Sequence, residues 1–340
     1  MHAAHATLNT ADAEVHLVDN LESALQAAGS GLEKLDRRSV PSTLLGRANN
    51  NRLVRYTLED WGWILLCWAA MWYGPTWLYP LWALLIAGRI HSFGVILHDA
   101  AHQSIRHKSW QIRFVEIFAG YPMASTLNAM RYHHIRHHRD SGMPTDPYFK
   151  PTVAGRPAIF LLIWLRHLLL IPLWMIRGPY GLLALAFPRM RNSYARVFLQ
   201  EKSGEDLTHQ RELIDCCKAE FGQVLAHTAL LMLALHDPQL VLFFYLIPAL
   251  VAALLAGYRV LVEHNYNPVT DRRMETIMHT TVDHNLHPLG RLLFAPRNIG
   301  FHIVHHLHPQ VALEHLPKLR AWYMAKHPEV YPARRTTQGW

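Results

Sequence analysis

From Trp61 to Gly88 the chain carries no charged side chain, a run of 28 residues. A bilayer crossing takes roughly 20 apolar residues wound as a helix, because backbone N–H and C=O groups find no water in lipid. Gly74-Pro75 interrupts the run and predicts two crossings that turn there, one starting near Leu53 and the other continuing to Leu97. Arg89 then falls late in the second crossing, with a stem long enough to snorkel toward the interface. Pro238 to Tyr258, 21 uncharged residues, is the clearest further crossing. It pairs with Phe221–Leu235 across a turn at His236-Asp237-Pro238. Pro157 to Phe187 is equally apolar, but Arg166, His167 and Arg177 cut it into pieces of about nine residues. Charge at the bilayer centre is expensive, so this stretch is expected to lie at the interface or to re-enter.

The expected fold is therefore mainly α: a multi-pass membrane protein with about four transmembrane helices, interfacial helices and a histidine-rich cytosolic cap. Residues 1–53 form a polar N-terminal tail with one short helix near residues 19–28. Residues 54–320 form the membrane domain, and 321–340 a C-terminal tail. The net charge of +8 gathers on no nucleic-acid-binding motif, so no nucleic acid is expected as a partner. Lys and Arg beside apolar spans instead mark the cytoplasmic side of an integral membrane protein, at the inner membrane if the source is bacterial. Cys67, Cys216 and Cys217 make no disulfide framework, which fits a reducing compartment.

Twenty-five histidines are present, and their placement matters more than their number. His98 and His102, at i and i+4, close the second expected crossing. His134, His137 and His138 follow at i, i+3 and i+4, one face of one helix. His302, His305 and His306 repeat the same HxxHH spacing about 170 residues later. Two crossings precede the first cluster and two more separate the second from the third, so all three fall on one side of the membrane. Any cluster alone could be a basic or structural surface; their recurrence on one face points to metal. Imidazole suits iron, zinc, copper and nickel alike. Zinc takes four ligands, or three with an open position, and eight histidines exceed that. Two ions, each with several imidazoles and an open position, fit the count better. His133 is one residue out of step with the ligand face, and His308 precedes Pro309 in an expected loop.

HDAAH, HHIRHH with the following Asp140 and Asp146-Pro147, and NIGFHIVHHLHP resemble the three histidine boxes of integral-membrane fatty-acid desaturases and hydroxylases. The resemblance spans residues 55 to 320 and is specific to the superfamily rather than to one reaction. It implies a four-helix stem, a cytosolic cap, a di-iron centre with mostly histidine ligands, O2 as oxidant, and electrons from an external donor. The implied metal ligands, through which catalysis would run, are His98, His102, His134, His137, His138, His302, His305 and His306, with His264 as the additional ligand after the last span. His284, Asn285 and His287 align more loosely. Asp99, Glu263 and Asp283 stand beside proposed ligands and are expected to orient imidazoles through their other nitrogen. Arg136 and Arg139 read as a solvated face, with an anionic head group or acidic donor as the other use. Trp61, Trp63 and Trp68 would line a substrate tunnel or anchor at the interface.

The reaction so implied is O2-dependent desaturation of an acyl chain on a lipid, thioester or free acid. The same site on a hydroxylase, a ketolase or a fatty-acid decarboxylase forming a terminal alkene would carry the same boxes. Ferredoxin, rubredoxin or cytochrome b5, with its reductase, is the expected donor, since no haem, four-cysteine or dinucleotide motif is present in the chain. A histidine-rich metal transporter is the rival class. It would place its site near the bilayer midplane rather than outside the spans. A metal-binding scaffold would bind metal yet consume no oxygen.

Overall fold

The computed structural model describes residues 39–103, 108–153, 155–329, 331 and 336–338, and these are mainly helical. The short helix expected near residues 19–28 lies outside the described residues.

Helix α1 (Asn50–Tyr73) starts where the Asn49 side chain accepts the Asn51 N–H, and stops at Gly74-Pro75. Helix α2 (Tyr79–Ala101) returns against it as the central element of the stem, buried on nearly every face from Ile86 onward. Helix α3 (Trp110–Val115) leads through a π-turn toward α4 (Leu127–Asp140), whose first turn is capped by Thr126. After α5 (Pro157–Ala186) and the short α6 (Arg191–Phe198) come α7 (Arg211–His236) and α8 (Pro238–Val262), hinged at Asp237-Pro238. The cap is completed by α9 (Met274–Thr280), α10 (Pro288–Leu293), α11 (His302–Leu307) and α12 (Leu316–Lys326). A parallel ladder pairs β1 (Asp283–Asn285) with β2 (Thr336–Gln338).

Three apolar clusters hold these pieces together. One joins α1, α2, α3 and α8 around Ile86, Phe93, Ile96 and Leu97. A second builds the cap from Ile277, Ile299, Ile303, Leu316 and Tyr323. The third sets Tyr132 of α4 against Tyr194, Phe198 and Cys216. All three cysteines are free and buried.

Among the described residues, three helical segments are long and apolar enough to cross a membrane: Thr76–Ala101, Pro157–Ala186 and Pro238–Val262. The second is the stretch expected to lie at the interface or to re-enter, and by length and composition it could also cross. Its pieces join into a helical segment of 30 residues, with a 3-10 turn at Arg166–Leu169 where the sequence places a break. Arg177 does not interrupt it, because Glu220 of α7 accepts from the guanidinium at 2.7 Å and Gln223 at 2.8 Å. Losing one partner of a pair this buried costs about 3–5 kcal/mol, so the pair fixes α5 on α7. Arg89 does not snorkel either. It pairs with Asp60 at 2.9 Å, reaches the Leu292 carbonyl, and shares Asp60 with Arg297. Gly88, one residue earlier, lets α10 approach: a Cβ there would stand 2.9 Å from Leu293. Stem and cap are therefore bolted together beside the histidines. Helices α1 and α7, both expected as crossings, are 24 and 26 residues long, with charged first halves.

Candidate metal centre

Each cluster is presented by a helix end. His98 and His102 sit at the last turn and C-cap of α2. His134, His137 and His138 occupy the last turns of α4. His302, His305 and His306 lie on α11, whose first turn is held by Asp283 accepting the Ile303 N–H at 2.8 Å. His264 follows α8 directly and bridges to Thr281.

The nine histidines converge as two groups, within each of which the candidate ligand atoms lie inside 4.8 Å of one another. The first contains His98, His102, His134, His138 and His305; the second contains His137, His264, His302 and His306. Each HxxHH box is thus divided. Helix α4 gives its i, i+4 pair to the first group and His137 to the second. Helix α11 gives its i, i+4 pair to the second group and His305 to the first. The two boxes are exchanged, which keeps the groups adjacent.

The separations suit nitrogens that share one ion. Two nitrogens each about 2.1 Å from a metal lie about 3.0 Å apart at a right angle and about 3.4 Å apart at the tetrahedral angle. In the first group the Nε2 atoms of His102 and His134 are 3.0 Å apart, those of His134 and His138 2.9 Å, and those of His138 and His305 3.0 Å. In the second, His264–His302 is 3.2 Å and His302–His306 3.1 Å. Five donors in one group exceed the four that a tetrahedral zinc takes and fit a six-coordinate ion such as iron. Burial holds His102 down to about 3, and keeps His134, His138, His264, His302, His305 and His306 well below the ordinary imidazole value. They are neutral at pH 7, the form a metal requires.

The carboxylates act differently from expectation. Asp99 accepts from the Leu313 backbone, not from an imidazole. Asp283 takes the Ile303 N–H, Arg320 and the Tyr331 hydroxyl, anchoring α11 rather than orienting a ring. Glu263 does meet an imidazole, but at the Nε2 of His302, 3.4 Å away, rather than at its other nitrogen. The orienting role falls to Asp146, whose Oδ1 lies 2.8 Å from His137 Nδ1. Asp146 is brought back by the turn at Gly142, where φ is +82° and the backbone N–H donates to Oδ2 at 2.9 Å. Burial would raise the Asp146 carboxyl, but His137 and the backbone donors hold it down to about 2. The signal in the sequence was Asp146-Pro147 in a turn after the box. Tyr148, next in that turn, meets His133 Nδ1 at 2.6 Å, so His133 packs outside both groups.

The remaining candidates lie elsewhere. His284 is buried on β1 outside both groups, and His287 precedes α10 exposed. Asn285 is also on β1. His308 contacts the Tyr323 hydroxyl at 2.7 Å. Arg136 stacks over Tyr132 between Glu201 and Glu212, and Arg139 pairs with Asp140.

Below the histidines, a cavity of about 630 Å³ opens among α1, α2, α7 and α8. Trp61, Ile64 and Trp68 of α1 and Ile86, Ile90 and Phe93 of α2 line it, with the Trp61 and Phe93 rings packed 5.4 Å apart. Trp61 and Trp68 turn their indole N–H groups to the Phe118 and Phe244 carbonyls, leaving apolar ring faces to the lumen. Trp63 is 60% exposed and points outward. The lining runs from Trp61 to Tyr73, about 18 Å along α1, and Phe93 stands about 7.5 Å along α2 from His98.

The profile of the family described as fatty acid desaturase matches residues 75–338. The chain is also 26% identical, over 270 residues, to dihydrorhizobitoxine desaturase of Bradyrhizobium elkanii, an alignment covering 75% of this chain and 70% of that protein. With both the histidine boxes and the apolar helices inside the matched region, the chain belongs to the fatty acid desaturase family.

Proposed function

We propose that this protein is a membrane di-iron oxidoreductase that uses O2 to place a carbon–carbon double bond in an acyl chain. The observation that carries the reading is the pair of adjacent imidazole groups, five donors and four. Overall, a –CH2–CH2– unit, O2, two electrons and two protons give –CH=CH– and two waters. Two irons bound there would supply the reduction of O2 and the oxidising power to take two hydrogens from unactivated carbon.

The chain's own residues do the rest. Neutral imidazoles hold the ions while leaving positions open. Asp146 fixes the His137 ring, accepting from its Nδ1, so Nε2 would be the nitrogen that binds a metal. The cavity below takes the apolar chain out of water and lies along α2 from His98. Position sets the product: a chain held with two adjacent methylenes near the centre is desaturated, and one held otherwise is oxygenated. The relative's name contributes the reaction type, and the cavity contributes the substrate class. The basic residues beside the spans support a centre on the cytoplasmic face, at the inner membrane in a bacterium, with a separate ferredoxin, rubredoxin or cytochrome b5 as electron donor.

The test is aerobic turnover of detergent-purified protein with ferredoxin, its reductase, NADPH and a panel of acyl substrates, read by mass spectrometry. Loss of two mass units from substrate supports desaturation. An oxygenated or shortened product keeps the centre and changes the reaction. Absence of substrate-dependent O2 uptake overturns the oxidoreductase reading and favours a transporter or scaffold.

A further inference from the structure

The two imidazole groups are unequal, five donors against four. A carboxylate stands beside the four-donor group, against His302 but outside the set that lies within 4.8 Å of one another. Glu263 ends α8 immediately before His264, with its side chain 2% exposed. Arg259, one turn back, donates to Oε1 at 2.5 Å. The other oxygen, Oε2, faces His302 Nε2 at 3.4 Å, the same nitrogen that faces His264 and His306. Among the described residues no other carboxylate contacts an Nε2 of the centre, since Asp146 reaches His137 through Nδ1. Adjacent donors on a six-coordinate ion, each about 2.1 Å from it, stand about 3.0 Å apart, a small rotation from the observed approach.

We propose that Glu263 is a direct donor to the second metal, giving each ion five protein ligands; this rests on the di-iron reading above. Arg259 then acts as a positioning residue. It is itself held, with its Nε 3.3 Å from His91 Nε2, while His91 Nδ1 lies against the Leu293 carbonyl at 2.9 Å. One carboxylate oxygen is thereby fixed and the other is directed at the ion. The consequence is chemical asymmetry. One ion is held by neutral imidazoles, while its neighbour has a hard, negatively charged donor that favours its higher oxidation state.

The alternative role for Glu263 is an i, i+4 ion pair with Arg259 and nothing more, and iron binding separates the two. Purified protein is loaded anaerobically with 57Fe(II), desalted, and measured for iron per chain and by Mössbauer spectroscopy. Wild type is expected to hold about two irons in two distinct components, and Glu263→Gln to lose one component with at least about a tenfold weaker second site. Glu263→His, which replaces the donor, restores the second iron. Arg259→Gln keeps both irons, because the carboxylate remains. The double variant Glu263→Gln with Arg259→Gln stays at one. The proposal is overturned if Glu263→Gln holds both irons with an unchanged spectrum, or if the double variant regains the second iron. Wild type that binds no iron overturns the di-iron reading itself, and this proposal with it.

Discussion

The two halves of the centre are built from the same parts and set in different surroundings. The first group is all imidazole and takes His98 and His102 from the end of α2, the helix whose inner face lines the apolar cavity. The second is surrounded by charge: Asp146 on His137, Glu263 beside His302, and Arg259 behind Glu263. The difference teaches how one repeated motif yields two unlike sites. Identical HxxHH spacing on α4 and α11 supplies two imidazoles to one group and one to the other, with the assignment reversed between helices. What distinguishes the sites then comes from outside the boxes.

The strongest way to break this comparison is to remove one ligand at a time. His305→Ala and His302→Ala are each expected to lower turnover more than about 100-fold, beyond the usual effect of losing a supporting group. They should do so by emptying different sites, as iron content and spectroscopy on each variant would show. Equal loss of both irons in either variant would mean that the groups are one cooperative site. Next in size is Asp146→Ala, which leaves the His137 ring without its acceptor. The expected loss is about 10–100-fold in metal affinity, confined to the second site. A metal titration that weakens the first site instead would contradict the partition.

A third change tests the cavity side of the comparison. Ile90→Trp fills the lumen beside Phe93 and should shift preference toward shorter acyl chains by about tenfold or more, with iron content unchanged. Unchanged chain-length preference would mean that substrate enters elsewhere. The smallest effect is expected from Asp99→Asn. Although Asp99 is a direct neighbour of His98 in sequence, it serves the Leu313 backbone, so both irons and their spectrum should persist.

Much of the centre was legible in the sequence because helical periodicity is local. Spacing of i, i+3 and i+4 puts His134, His137 and His138 on one face whatever the tertiary structure. The division between groups was not legible, since it depends on how α4 and α11 oppose each other, elements about 170 residues apart. The same distance effect explains Arg177. Read alone it breaks an apolar run, yet Glu220, supplied by another helix, neutralises it and lets α5 continue. Arg89 was misjudged for the same reason, its partners being Asp60 and the Leu292 carbonyl. Carboxylates were hardest to assign. Adjacency in sequence singled out Asp99 and Asp283, whereas the ring of His137 is held by Asp146, returned to it by the left-handed turn at Gly142. Glu263 was found by adjacency, but the side from which it approaches His302 needed the fold.

The most direct test of the account is the iron stoichiometry and Mössbauer spectrum of wild-type protein set beside those of His305→Ala and His302→Ala. Two irons per chain in two components, with each variant losing a different one, is the result predicted by nine histidines divided five and four. A single tetrahedral zinc, or one iron component lost identically in both variants, would contradict it.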